Sequence, residues 1–265
     1  MKVNAAKAKM LAGGTAFGFE LGFGSPLVAE ALSRTGIDYL QIDTQHGDWG
    51  PGSTLAALVA MEGGTATPMA RVARNDYTQI GRLLDEGMMG IVVPMVHTAD
   101  DAKAAADACR FPPLGTRSCG WGRIGRTDPD YWDWIDQQVL LMVQIESITA
   151  VENAEAILST PGVDGCWTGP ADLAYSMGIH PRDQKSDDRH ARALERILEA
   201  CANTGKIPGI AAMNPEDAAD RAAQGWRFIN AGADYQLLMD AAETGLGNVG
   251  LEWLPTSARV RTATY

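Results

Sequence analysis

Eight times along this chain a short apolar run of strand character gives way to a longer stretch with helical spacing. TAFGFEL (15–21) precedes SPLVAEALSRTG, and YLQIDTQ (39–45) precedes PGSTLAALVAMEGG. TPMARVA (67–73) precedes DYTQIGRLLDEG, and GIVVPMV (90–96) precedes TADDAKAAADACR. LLMVQIE (140–146) precedes TAVENAEAIL, and GCWTGP (165–170) precedes a helix starting near Ala171. PGIAAM (208–213) precedes NPEDAADRAAQG, and WRFINAG (226–232) precedes ADYQLLMDAAETG. The helical stretches open on Ser, Thr, Asn or Asp of N-cap type, and several close near Gly. Strand–helix alternation predicts a parallel sheet covered by helices, because each crossover must return the chain to the same edge. Eight units in 265 residues predict a single-domain α/β fold, a (β/α)8 TIM barrel, for which about 250 residues is typical. The alternative is an open doubly wound sheet.

Two segments break the rhythm. Residues 111–138, FPPLGTRSCGWGRIGRTDPDYWDWIDQQ, read as a long loop rich in Gly, Arg and aromatics, and loops of this length are commonly functional. Residues 245–265 form a tail after the eighth helix, and Trp253 and Leu254 give it apolar surface expected to pack on a neighbouring subunit. The whole chain, 1–265, is read as one domain.

Charge and composition remove several classes of partner. A net charge of −11 and a pI near 4.8, with no basic patch, argue against nucleic acid and anionic membrane. No run approaches the length of a membrane-spanning helix, and the N-terminal MKVNAAKAKMLAGG lacks the apolar core of a signal peptide. Cys109, Cys119, Cys166 and Cys201 are far apart and form no C-x-x-C, so a reducing cytoplasm is expected rather than a zinc ribbon or disulfide framework.

In a barrel the chemistry sits at the C-terminal strand ends, and ionisable residues gather there. Strand two ends at Asp43 and His46. Strand three carries Arg71, strand five ends in Gln144-Ile145-Glu146, and strand six runs into Gly169-Pro170-Ala171-Asp172. Each has a structural reading as well: Asp43 as a turn cap, Arg71 as a bridge to a neighbouring carboxylate, Glu146 as a helix start, Asp172 as a first-turn acid. Together they would crowd three carboxylates into one mouth, at a cost of several kcal/mol unless a cation neutralises them. Glu146 and Asp172 offer hard oxygen ligands suited to Mg2+ or Mn2+. His97 reads as a loop polar group, and His180 and His190 read as solvated. No lysine falls within a strand, and Lys206 precedes strand seven at the wrong end, which argues against Schiff-base chemistry. GLGNVG (245–250) has the spacing of a dinucleotide fingerprint but follows a helix, so it fails the context that motif requires.

IDTQHG, PMARV, GIVVPMV, FPPLGTRS, VQIES and GVDGCWTGPADLAYSMG, in this order, resemble the HpcH/HpaI aldolase family from about residue 15 to 240. The resemblance implies a metal-dependent class II pyruvate aldolase, a carbon–carbon lyase joining a 2-oxo acid and an aldehyde. It implies that Glu146 and Asp172 ligate Mg2+, Mn2+ or Co2+, and that Gln144 lies beside the ion and helps hold the 2-oxo acid. Backbone N–H groups of the Gly169, Pro170, Ala171, Asp172 turn would receive the substrate carboxylate. Arg71 would sit over the ketone oxygen, His46 and Asp43 would form an acid–base dyad, and Asp85 would support that dyad. It also implies a homo-oligomer, a trimer or hexamer. Gln45 departs from the pattern, standing where many members carry Glu, and Trp49 and the 111–138 loop also look individual. Two alternatives remain at this stage: a non-catalytic 2-oxo-acid sensor, and a related lyase acting on a CoA ester, for which no basic groove is visible.

Overall fold

A computed structural model describes residues 3–252. Its helices are α1 (Ala5–Leu11), α2 (Pro26–Ser33), α3 (Pro51–Met61), α4 (Tyr77–Glu86), α5 (Ala99–Cys109), α6 (Arg123–Thr127), α7 (Tyr131–Gln138), α8 (Ile148–Glu152), α9 (Ala154–Leu158), α10 (Pro170–Ser176), α11 (Asp188–Thr204), α12 (Pro215–Ala223) and α13 (Asp234–Asn248). Its strands are β1 (Ala16–Leu21), β2 (Tyr39–Asp43), β3 (Thr67–Arg71), β4 (Gly90–Val93), β5 (Leu140–Gln144), β6 (Gly165–Trp167), β7 (Gly209–Ala211) and β8 (Phe228–Ala233). All eight lie at the expected positions and every pairing is parallel.

The sheet closes. β1 lies between β2 and β8, and the β6/β7 seam is bridged at Gly165–Ile207 and Thr168–Ile210. Closure leaves no free edge and rules out the open doubly wound alternative. Outward strand residues such as Leu40, Ile42, Ile91, Leu141, Val143 and Ile229 pack on the helices. Inward residues Tyr39, Met69, Val92, Leu140, Met142, Trp167 and Phe228 fill the interior. The predicted N-caps Ser25, Asp76, Thr98 and Asn214 accept N–H bonds from the first turns of α2, α4, α5 and α12, whereas α8 and α11 are capped by Ser147 and Asp187, which the sequence reading had not singled out.

Four features differ from the sequence expectations. α1 was not foreseen: its Ala6 and Met10 plug the N-terminal end of the barrel, and Asn4 caps it while donating to Met89 O at 2.8 Å. The 111–138 segment is not all loop, because Tyr131, Trp134 and Ile135 bury one face of α7. The helix that covers β6 is α11, reached after the short α10, and His190 is therefore buried (3 % exposed) rather than solvated. Burial holds its imidazole below its ordinary pKa. Finally α13 barely packs on the barrel: Asp234 is its one buried residue, and Leu238 is exposed. GLGNVG begins inside α13, consistent with its failure as a phosphate loop. Trp253 and Leu254 lie outside the described residues. Among the described residues no helix is long and apolar enough to cross a membrane.

Candidate active site

β2 and β3 are in register so that Asp43 faces Arg71 across the ladder at the C-terminal end of the barrel. Asp43 accepts two parallel hydrogen bonds from Arg71, Nε to Oδ1 at 2.8 Å and Nη2 to Oδ2 at 2.6 Å. This fork geometry fixes the guanidinium plane as well as its charge. The same carboxylate accepts the backbone N–H groups of Gln45 at 3.0 Å and His46 at 3.3 Å. Asp43 thereby folds the turn on which His46 stands exposed to solvent. The turn needs Gly47, where a Cβ would lie 2.5 Å from Asp43 O.

Arg71 is the hub of the mouth. Its Nη2 also lies 3.4 Å from Glu20 Oε2 on β1, and its guanidinium carbon is 5.2 Å from the centre of the Trp167 ring across the barrel. Burial by itself would lower the Arg71 pKa, but Glu20 and Asp43 more than offset this and keep it charged. Burial pushes the Glu20 carboxyl up to about 7, against the pull of Arg71 and with the help of Asp43 and Asp234.

The second half of the site comes from β5 and β6. Gln144 and Glu146 sit two residues apart and so face the same way. Gln144 Nε2 donates to Glu146 Oε2 at 2.6 Å, and the Met95 N–H donates to Glu146 Oε1 at 2.9 Å. Met95 takes the left-handed backbone (φ 55°) to do this, a conformation costing about 1–3 kcal/mol for a non-glycine residue and typical of functional sites. Burial pushes the Glu146 carboxyl up to about 7; the Met95 N–H opposes this, and the charge of Asp172 adds to it.

Asp172 lies in the first turn of α10, with Gly169 at the N-cap, Pro170 at the first helical position, and Ala171 and Pro170 buried. His190 on α11 donates from Nε2 to Pro170 O at 2.9 Å and so ties α10 to the wall beneath the mouth. A Cβ built on Gly169 would lie 2.8 Å from Glu146 Oε2 and 3.2 Å from Asp172 Oδ2. The two carboxylates thus converge on one small space that only a glycine leaves open.

That space fits a hard divalent cation. Two carboxylate oxygens face it, and Gln144 Oε1, buried without a partner, is a further hard oxygen beside them. Among the described residues no group of three His, Cys, Asp or Glu side chains is placed to hold a metal. Two carboxylates and an amide oxygen leave positions for water and substrate, the habit of hard divalent ions rather than of a structural zinc.

One proposed residue stands apart. Asp85 on α4 accepts from Arg117 Nη2 at 2.6 Å, and Arg117 also bonds Tyr131 Oη at 2.9 Å and stacks on Phe111 at 4.5 Å. Within this chain Asp85 anchors the 111–138 segment, away from the strand-end group. Conversely Glu20, Trp167, Met95 and His190 were missed. Glu20 had left a signal, since a lone carboxylate interrupts the apolar run AFGFEL two positions after Gly18 on the same strand face.

By fold and site the protein is a (β/α)8-barrel enzyme with a carboxylate-rich centre at its C-terminal mouth. The model of the HpcH/HpaI aldolase/citrate lyase family matches residues 19–241, and the chain belongs to that family. A hydroxypyruvate/pyruvate aldolase of Delftia acidovorans is 36 % identical over 269 aligned positions, covering 100 % of this chain and 99 % of the relative. A 4-hydroxy-2-oxo-heptane-1,7-dioate aldolase of Escherichia coli is 36 % identical, covering 94 % of this chain and 96 % of the relative. The crystal structure of a family member from Burkholderia cenocepacia J2315 superposes with a TM-score of 0.85 at 32 % identity, covering 93 % of this chain and 99 % of that one.

Proposed function

We propose that this chain catalyses reversible aldol cleavage and formation between a 2-oxo acid, pyruvate or hydroxypyruvate, and an aldehyde. It is a carbon–carbon lyase of the aldolase type, in keeping with aldolase relatives matched over nearly their whole length. The observation that carries the reading is the convergence of Glu146 and Asp172 over Gly169, beside an Arg71 gripped by Asp43.

Glu146 and Asp172 would hold a divalent ion, with Gln144 beside them. When bound, that ion supplies Lewis-acid polarisation of the 2-oxo carbonyl. The remaining work belongs to the side chains. Arg71 faces the carbonyl oxygen and stabilises the negative charge that grows there as C3 loses its proton. In a buried setting that charge–charge contact is worth more than it would be in water. Asp43 holds the guanidinium plane and the turn bearing His46, and His46 takes the C3 proton and returns it. The N–H groups at the start of α10, around Ala171 and Asp172, receive the substrate carboxylate. The family resemblance carries Asp85 over as a support for the dyad, while within this chain its carboxylate pairs with Arg117. The exposed α13 and its Leu238 support a homo-oligomer, which the resemblance puts at a trimer or hexamer, and four cysteines without C-x-x-C spacing suit a reducing cytoplasm.

The test is exchange of pyruvate methyl protons with deuterated water. Chelation should abolish it, and Mg2+, Mn2+ or Co2+ should restore it, with His46→Ala failing to recover. Exchange that survives complete chelation would remove the cation from the reading. Binding of a 2-oxo acid without any exchange would favour a sensor.

A further inference from the structure

Glu20 is the acid of this mouth that the reaction above does not use. Gly18 and Glu20 point inward from β1, and Glu20 pairs in register with Gln41 on β2. On the other side Gly18 pairs with Asn230 but Glu20 with Ala233, so β8 advances three residues while β1 advances two. A bulge of this kind re-aims the side chain next to it.

The carboxylate that results is the open one of the pair on Arg71. Side-chain exposure is 23 % for Glu20, 9 % for Arg71 and 2 % for Asp43. Asp43 grips the guanidinium through Nε and Nη2, whereas the more exposed Glu20 touches it only at Nη2, 3.4 Å away. Asp234, whose charge acts on Glu20, accepts the N–H groups of Gly22 and Phe23, and the Phe23 and Tyr235 rings stand edge-to-face at 5.8 Å. Among the described residues no Lys or Arg other than Arg71 forms an ion pair with Glu20, Asp43, Glu146 or Asp172.

This arrangement concerns the second substrate. The 2-oxo acid brings one carboxylate, and the Arg71 guanidinium of the mouth is already shared by two acids. An aldehyde bearing a further carboxylate would meet Glu20 with no cation left to pair it, a cost that discriminates strongly in a partly dry site. A hydroxylated, uncharged aldehyde meets a group that suits it in either protonation state, since a carboxylate accepts from a hydroxyl and a carboxyl donates to one.

Resting on the aldolase reading above, we propose that Glu20 selects the aldehyde: the site takes uncharged, hydroxylated aldehydes and turns away those that carry a carboxylate. The step is balanced within the two substrates. Pyruvate C3 loses a proton and bonds to the aldehyde carbon, the carbonyl pair moves to the aldehyde oxygen, and that oxygen takes a proton, with no oxidant or reductant.

The experiment measures kcat/KM for glyceraldehyde and for 4-oxobutanoate, each with pyruvate and saturating Mg2+, on the full chain. The wild type should favour glyceraldehyde at least tenfold. Glu20→Gln, which removes the charge and keeps the shape, should move the ratio at least tenfold toward 4-oxobutanoate, chiefly through KM. Glu20→Asp should keep the wild-type order. A wild-type ratio near one or below, or a Glu20→Gln variant in which both substrates fall together, overturns the proposal and leaves Glu20 a support for Arg71. Methyl-proton exchange of pyruvate, run in parallel, separates the two levels: exchange with a flat ratio sinks the selectivity alone, and its absence in the metal-loaded wild type sinks the aldolase reading as well.

Discussion

Asp43 holds Arg71 by a two-point hydrogen-bonded fork, 2.8 and 2.6 Å, across 28 residues of chain and one strand-to-strand register position. The guanidinium is therefore set in place before any substrate arrives, and its donors other than Nε and Nη2 are left for chemistry. A site built this way need not reorganise as charge develops, which is the main source of electrostatic catalysis.

Arg71→Ala should lower kcat/KM by about 2.7–4 kcal/mol, by analogy with loss of one oxyanion donor. Arg71→Lys should recover little, because an ammonium cannot make the fork with Asp43. Steady-state kinetics read both. A loss smaller than tenfold for the alanine variant would place Arg71 away from the reacting oxygen.

Gly169→Ala should weaken Mn2+ binding at least tenfold while the protein stays folded. The new Cβ would press on the ends of the Glu146 and Asp172 side chains, 2.8 and 3.2 Å away, which can turn aside without moving the backbone. Electron paramagnetic resonance titration of Mn2+ measures the affinity, and circular dichroism the fold. Wild-type affinity in a folded variant would mean that the ion does not sit between these two carboxylates.

The stability that Glu20 contributes should fall as pH rises from about 4.5 to about 7. Burial raises its folded pKa to about 7, whereas an exposed glutamate in the unfolded chain titrates near its ordinary value of 4.5. Between those values the folded state binds more protons, so Glu20's contribution is fully present below about 4.5 and is lost as pH rises through about 7. Thermal melts in chelator should show the difference between wild type and Glu20→Gln moving in favour of the variant from pH 5 to pH 8. A constant difference would show that Glu20 titrates alike in both states.

Arg117→Ala should destabilise the chain by about 2–3 kcal/mol in urea unfolding, below the roughly 3–5 kcal/mol of a fully stranded buried charge, because Asp85 can turn to water. The Arg117 side chain is 1 % exposed and Asp85 is 29 % exposed. Arg117→Met should cost less, since it keeps the packing against Phe111 and Tyr131. If the alanine variant unfolds at the wild-type midpoint, the 111–138 segment is not held by this residue.

The amino-acid sequence by itself determined the eight strands, most of the helix caps, the parallel sheet and the residues at the strand ends, because periodicity, capping and strand length are local properties of the chain. It also exposed Glu146, Asp172, Asp43, His46 and Arg71 as a set, since a barrel brings its strand ends to one mouth whatever their separation in sequence. Tertiary structure alone decided who meets whom. That Asp43 grips Arg71, that Glu20 shares it, that Met95 turns its N–H to Glu146, and that Asp85 faces Arg117 all follow from register, twist and loop packing. The same holds for His190, whose polar neighbours in sequence suggested solvent but whose helix packs its other face against the barrel. A side chain's type is written in the sequence, whereas its partner depends on distances summed over the whole closed sheet, and no local pattern carries that sum.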